Sequence, residues 1–116
     1  MDFDTARRFL LAQTVASVPG QTTFIECLRQ GRAPIPGQAT SILLALKTVS
    51  QNLKGEPTIE RSLGLALFVL AYESRQLYLQ GQANQVEWPP LLSEDLTRIA
   101  AAVRQIWADT PDTATG

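Results

Sequence analysis

Five acids, Glu60, Glu73, Glu87, Glu94 and Asp95, are the side chains that could supply a carboxylate pair for acid and base catalysis. Glu94 and Asp95 are adjacent and fall in the first turn of a predicted helix, where negative charge complements the helix dipole without any catalytic role. Glu73 stands two residues from Arg75. A small enzyme or ligand carrier built on that couple would need an apolar pocket and a carboxyl raised by burial. No His occurs in the 116 residues, which removes the commonest general base and every Ser-His-Asp or Cys-His arrangement. With Cys27 as the one cysteine, no zinc site can be assembled from this composition, and no metal or other cofactor is expected. Cys27 lies between Glu26 and Leu28 with no adjacent cation to lower its pKa, so burial as a small hydrophobe is the expectation. Lys47-Thr48 has the ending of a phosphate-binding loop but follows Leu46 inside a helical pattern. A helix interior has no free N–H groups to cradle a phosphate. No catalytic residue is assigned, and the chain reads as a non-enzyme.

What remains is an aromatic surface. Tyr72, Arg75, Tyr78, Leu79 and Trp88 come from the end of a predicted helix and the loop after it, and Tyr, Trp and Arg are the side chains enriched at binding hot spots. Tyr72, Arg75 and Leu79 are three and four apart, hence on one helical face. The competing expectation is that Trp88-Pro89-Pro90 packs the loop back onto the protein and buries the tyrosine rings.

The elements that must position these residues are legible from apolar spacing punctuated by Gly and Pro, which predicts five helices and no strand of comparable quality. The first follows Asp2 or Asp4 as N-cap, runs to about residue 16 and is closed by Pro19-Gly20. The second begins at Thr23, whose spacing to Glu26 predicts a capping box, and ends on Gly31 in the left-handed conformation. A third follows Pro34-Ile-Pro-Gly37, carries Ile42, Leu43, Leu46, Val49 and Leu53 on one stripe, and stops at Lys54-Gly55. The fourth starts after Pro57-Thr58 and ends at Gln80 before Gly81. Its segment from Leu63 to Tyr72 is apolar on all sides, which predicts a central helix surrounded by the others. Residues 81–92 read as a loop, after which Ser93 caps a fifth helix bearing Leu96, Ile99, Val103, Ile106 and Trp107. Pro19-Gly-Gln-Thr-Thr-Phe-Ile25 and Pro36-Gly-Gln-Ala-Thr-Ser-Ile42 echo each other as one device used twice, in which Pro and Gly turn the chain and Thr caps the next helix.

Composition agrees with one all-α domain. At 45% hydrophobic and 18% charged, the chain can close a single core over residues 1–108, with a polar tail from 109 to 116. The net charge is −1 and the eight Arg are scattered, so no clustered excess of cations exists to displace counterions from a nucleic acid. The apolar run from Leu63 to Tyr72 is far short of the roughly 20 residues that span a bilayer. The start has neither the basic nor the apolar region of a secretory signal, and the one cysteine suits a reducing cytoplasm.

Several segments carry a family resemblance that covers about residues 3–108. They are Phe3-x-x-Ala-Arg-x-Phe-Leu10, Gly20-Gln-Thr-Thr-Phe24, the run Pro36 to Lys47, Glu73-Ser-Arg-Gln-Leu-Tyr78, and Glu87-Trp-Pro-Pro-Leu-Leu-x-Glu-Asp-Leu-Thr-Arg-Ile-Ala100. Together they resemble a family of small cyanobacterial helical proteins, some of which are labelled dethiobiotin synthetase. That enzyme resembles a P-loop ATPase of about twice the size, and neither its loop nor its metal-binding acids occur here. The family is also similar to the carboxysome assembly factor CcmS. This likeness implies a helical chaperone that binds the C-terminal tail of a carboxysome shell protein; with the aromatic and Arg cluster, the expectation is a peptide held in a groove beside the fourth helix. It transfers no catalytic position. A structural homodimer through leftover apolar surface on the third helix is the other expectation for a non-enzyme.

Overall fold

The computed structural model describes residues 1–16 and 21–109. Its elements are α1 (Phe3–Gln13), α2 (Phe24–Arg29), α3 (Gln38–Leu53), α4 (Arg61–Phe68), a π-helical turn (Val69–Glu73), α5 (Ser74–Ala83) and α6 (Leu92–Ala108). α4, the π turn and α5 are continuous, so the all-α expectation holds with five rods and, among the described residues, no strand. Pro19, Gly20 and the tail beyond residue 109 lie outside the described residues.

Local chemistry explains most boundaries. Asp2 is the N-cap of α1, its carboxylate accepting the Thr5 backbone N–H at 2.8 Å. The hydrogen bonding to Thr5 holds the Asp2 carboxyl below its ordinary range. α1 stops at Gln13, three residues early, where Thr14 leaves the helical conformation with its hydroxyl donating to the Leu10 carbonyl at 2.7 Å. The capping box on α2 does not form. Thr23 holds the N-cap position without a side-chain capping bond, and the Phe24 N–H is satisfied instead by Gln13 Oε1 at 2.7 Å. Glu26 faces Arg29 and Gln30. Gly31 does close α2 in the left-handed region, with Arg32 N–H on the Cys27 carbonyl and Gly31 N–H on that of Leu28. Cys27 is buried, as its position predicts.

Gln38, the first residue of α3, ties three elements together. Its amide accepts the Ile35 N–H and donates to Gln13 Oε1 and the Thr22 carbonyl. The N-cap of α3 is Gly37 at φ 85° rather than a Thr, so the second half of the echoed device works through Gly and Gln. α4 begins at Arg61, later than the Pro57-Thr58 signal predicts. Glu60 is kept extended by its side chain, which reaches across to Arg7 of α1.

Packing is a closed circuit of four rods. α3 lies between α1 and α6, α6 packs against the π turn, and α1 packs against α4. α2 rests on α5. Ala6, Leu10, Phe24, Ile42, Leu46, Val49, Leu63, Leu67, Leu70, Leu96, Ile99 and Val103 fill the interior, each large side chain contributing about 1.5–3 kcal/mol through burial. This circuit corrects the expectation of a central helix. The long α4 to α5 rod is one of four walls, with neighbours on its inner face and edges and, among the described residues, none on its outer face. The predicted surround is therefore absent along Leu65, Phe68 and Tyr72, all exposed.

Candidate functional site

The π turn is what sets the outer face of the long rod. The Ser74 N–H bonds to the Val69 carbonyl, one residue further back than in an α-helix, and the buried Ser74 hydroxyl takes the Leu70 carbonyl at 2.5 Å. Such single wide turns inside α-helices concentrate at functional sites. Here the turn lies directly beneath two aromatic rings. Phe68 and Tyr72 stack with ring centroids 5.2 Å apart and planes 25° apart, and they are 48% and 53% exposed.

Trp107 of α6 extends the same surface. The six-membered ring of its indole lies against the bare backbone of Gly64, where an added Cβ would stand 3.4 Å from it, yet the residue is 53% exposed. Gly64 is one turn before Phe68, so Trp107, Leu65, Phe68 and Tyr72 form one contiguous apolar strip. Half-exposed aromatics of this size leave about 100 Å² each in water, so the strip presents on the order of 300–400 Å² of apolar surface. Leu79, also exposed, continues the line two turns on.

The residues singled out from sequence divide here. Tyr72 and Leu79 face outward. Arg75 does not join them. The π turn and the approach of α6 bring it to the seam, where its guanidinium donates to Ser93 Oγ, the Ser93 carbonyl and Thr97 Oγ1 at 2.9–3.1 Å and lies 5.3 Å above the Tyr78 ring. Ser93 is accordingly an acceptor for Arg75 within the first turn of α6 and not its N-cap, a position Leu91 occupies without a side-chain bond. Tyr78 and Trp88 stack on one another at 5.9 Å, and the Trp88 indole N–H donates to the Tyr78 carbonyl. The loop packs back here, as the competing expectation had it.

Gly81 is where that packing corrects the predicted helix end. A Cβ on Gly81 would stand 2.4 Å from Trp88 Cζ2, so this glycine provides room for the indole and the helix runs on to Ala83. Gln85 takes the left-handed position at φ 66°, and Val86 N–H returns to the Gly81 carbonyl. The loop is correspondingly shorter than the predicted 81–92.

Phe68, Leu65 and Trp107 were missed as surface residues. The signal was available: a rod that is apolar all round needs neighbours all round, and five short helices cannot supply them. Trp107 was assigned to the buried stripe of the last helix, but it follows Ile106 by one residue and so lies about 100° off the line of Leu96, Ile99, Val103 and Ile106.

Other chemistry is sparse among the described residues. No three acids or cysteine gather closely enough to hold a metal ion, and no helix is long and apolar enough to cross a membrane. The clefts are small and open: about 150 Å³ between Pro34–Pro36 and Leu91–Leu92, 230 Å³ between α3 and α6, and 290 Å³ beside Phe9 and Ile35. On α3, Leu44 is the one large hydrophobic side chain left exposed. The shortest ion pair among the described residues is Arg7–Glu60, bidentate at 2.5 and 2.6 Å, which with the Ser62 hydroxyl lowers the Glu60 carboxyl to about 2. It is a clasp between α1 and the start of α4. No protein-family model, curated protein or solved structure matches this chain.

Proposed function

We propose that the protein is a non-enzymatic adaptor or assembly chaperone that holds a segment of a partner protein against the strip formed by Leu65, Phe68, Tyr72 and Trp107. The observation that carries this reading is the pair of stacked, half-exposed rings over a π turn, joined by an exposed Trp from the neighbouring helix. An apolar surface of that size and aromatic content is the composition of a hot-spot cluster in want of its partner. The three clefts described above each stay below the 300 Å³ or so at which pockets for small molecules begin. Arg75, the cation that a Glu73-based ligand site would require, is already committed to Ser93 and Thr97. The resemblance to CcmS proteins names the ligand to try first, the C-terminal tail of a carboxysome shell protein.

Calorimetric titration with synthetic shell-protein tails, each beside a scrambled control, tests the proposal. Saturable binding that Phe68→Ala or Tyr72→Ala weakens by about 2 kcal/mol supports it. Binding untouched by either substitution places the partner elsewhere and overturns the assignment of the strip.

A further inference from the structure

The charges around the strip say what kind of segment it takes. α4 and α6 run antiparallel, with Trp107 against Gly64 at one end and Thr97 bonded to Arg75 at the other. That register sets Phe68 across from Arg104 and Ala71 across from Ala100. Arg104 is three residues before Trp107, and Arg61 is three before Gly64, so both belong to the same edge of the surface. Both are exposed, and neither forms an ion pair with another described residue. The other described Arg residues that line a helix seam or an end are mostly engaged: Arg7 on Glu60, Arg8 on Asp4, Arg29 on Glu26, Arg98 on Glu94 and Asp95. No acid stands among the strip's own residues. The acids nearest in sequence are Glu60, exposed but committed to Arg7 and Ser62, and the half-buried Glu73 and Asp109.

Resting on the proposed docking role of this strip, we infer that its partner is an acidic amphipathic helix, whose apolar stripe covers Phe68, Tyr72 and Trp107 while its flanking carboxylates meet Arg61 and Arg104. Two unpaired guanidiniums beside an apolar surface are complementary to carboxylates in bidentate geometry and repel a basic segment. The helical form fits the spacing. Leu65 and Tyr72 are two turns apart, about 10 Å along the rod, which matches apolar anchors at i, i+4 and i+7 of a helix laid along the strip.

The test uses the full chain and two designed helical peptides of about eighteen residues that share one Leu and Met stripe and differ only in carrying Glu or Lys beside it. Binding is read by calorimetry at low and high salt. The Glu peptide is expected to bind at least about tenfold more tightly than the Lys peptide at low salt, with the preference shrinking as salt screens the rim charges. Arg61→Glu with Arg104→Glu, both exposed and so tolerated by the fold, is expected to reverse the order. Equal affinities, or a preference for Lys that the double substitution leaves alone, overturn the acidic partner while leaving the docking strip itself standing. Binding of neither peptide by a chain that binds a shell-protein tail overturns the helical occupant. Self-association abolished by Phe68→Glu, with neither peptide bound, makes a second copy the occupant and overturns the inference outright. Loss of the docking role itself is recognised separately, by a partner whose binding ignores Phe68→Ala and Tyr72→Ala.

Discussion

Two aromatic pairs sit along the same long rod, one of them completed by Trp88 from the loop that follows, and they are used in opposite ways. Phe68–Tyr72 and Tyr78–Trp88 have nearly the same stacking, 5.2 and 5.9 Å between centroids with planes 25° and 24° apart. The second pair is bound into the protein. Its indole N–H is satisfied by the Tyr78 carbonyl, Arg75 covers the tyrosine ring, and Gly81 is bare so that Trp88 can lie against the helix. Among the described residues the first pair has a neighbour along one edge only, and about half of each residue remains exposed. Residue type and stacking geometry therefore do not separate a binding surface from a loop anchor. What separates them is whether the polar handle is satisfied within the chain and whether the facing backbone has been cleared to receive the ring.

The largest expected effect is on the bound pair. Trp88→Ala removes the anchor of the loop between α5 and α6 and is expected to cost about 2–4 kcal/mol of stability, a little under the range for fully buried Trp because the residue is half-buried. Gly81→Ala should cost about 1–3 kcal/mol by forcing the indole away, since 2.4 Å to Cζ2 is no contact a Cβ can make. Urea unfolding reads both as a lowered midpoint at unchanged slope. An unshifted midpoint for Trp88→Ala would erase the distinction between the pairs.

On the outer pair the ranking inverts. Tyr72→Ala should leave the free energy of unfolding in urea within about 1 kcal/mol of wild type while weakening partner binding by about 2 kcal/mol. A stability loss as large as that of Trp88→Ala would mean that the outer rings are structural after all. Gly64→Ala sharpens the contrast through its sign. Its Cβ would meet Trp107 at an ordinary 3.4 Å inside a helix, so alanine is expected to stabilise by about 0.5–1 kcal/mol where the same change at Gly81 destabilises. Trp107 held more firmly against α4 by that methyl group is also a direct check that the indole belongs to the strip.

Much of this was legible in the sequence because helix signals are local. The Asp2 cap, the left-handed Gly31 and the α3 stripe from Ile42 to Val49 depend on residues within a turn of one another. Three features were not, each for want of a tertiary partner. Gln13 takes over the cap of α2 from Thr23 across a distance of eleven residues. Arg75 leaves the face its spacing assigns to it because Ser93 and Thr97 offer three acceptors. Gly81 looks like a helix terminator until Trp88 is seen to occupy the space its missing side chain leaves. For the candidate surface, Tyr72 and Leu79 were visible in advance. Leu65, Phe68 and Trp107 were hidden, because an all-round apolar pattern is equally what an enclosed helix and a helix with a docking face would show.

The smallest effect concerns the far end of the long rod, held by charge where the near end is held by Trp88. Glu60 is lowered to about 2 by Arg7 and Ser62 from an ordinary value of 4.5, so between those values the unfolded chain binds the proton more readily than the folded one. Stability contributed by the clasp is therefore fully present above about pH 4.5 and is lost as the pH falls toward 2. The groups are exposed and screened, which keeps the contribution small. Thermal unfolding of wild type and Glu60→Gln across this window is expected to show two curves that converge as the pH falls, because acid removes from the wild type what the substitution has already removed from the variant. Trp88→Ala should instead lie below wild type by a constant amount over the same range, since no titrating group holds its ring. Parallel curves for Glu60→Gln would mean that the clasp between α1 and α4 carries no pH-dependent stability, and that the loop anchor alone fixes the rod that presents Phe68 and Tyr72.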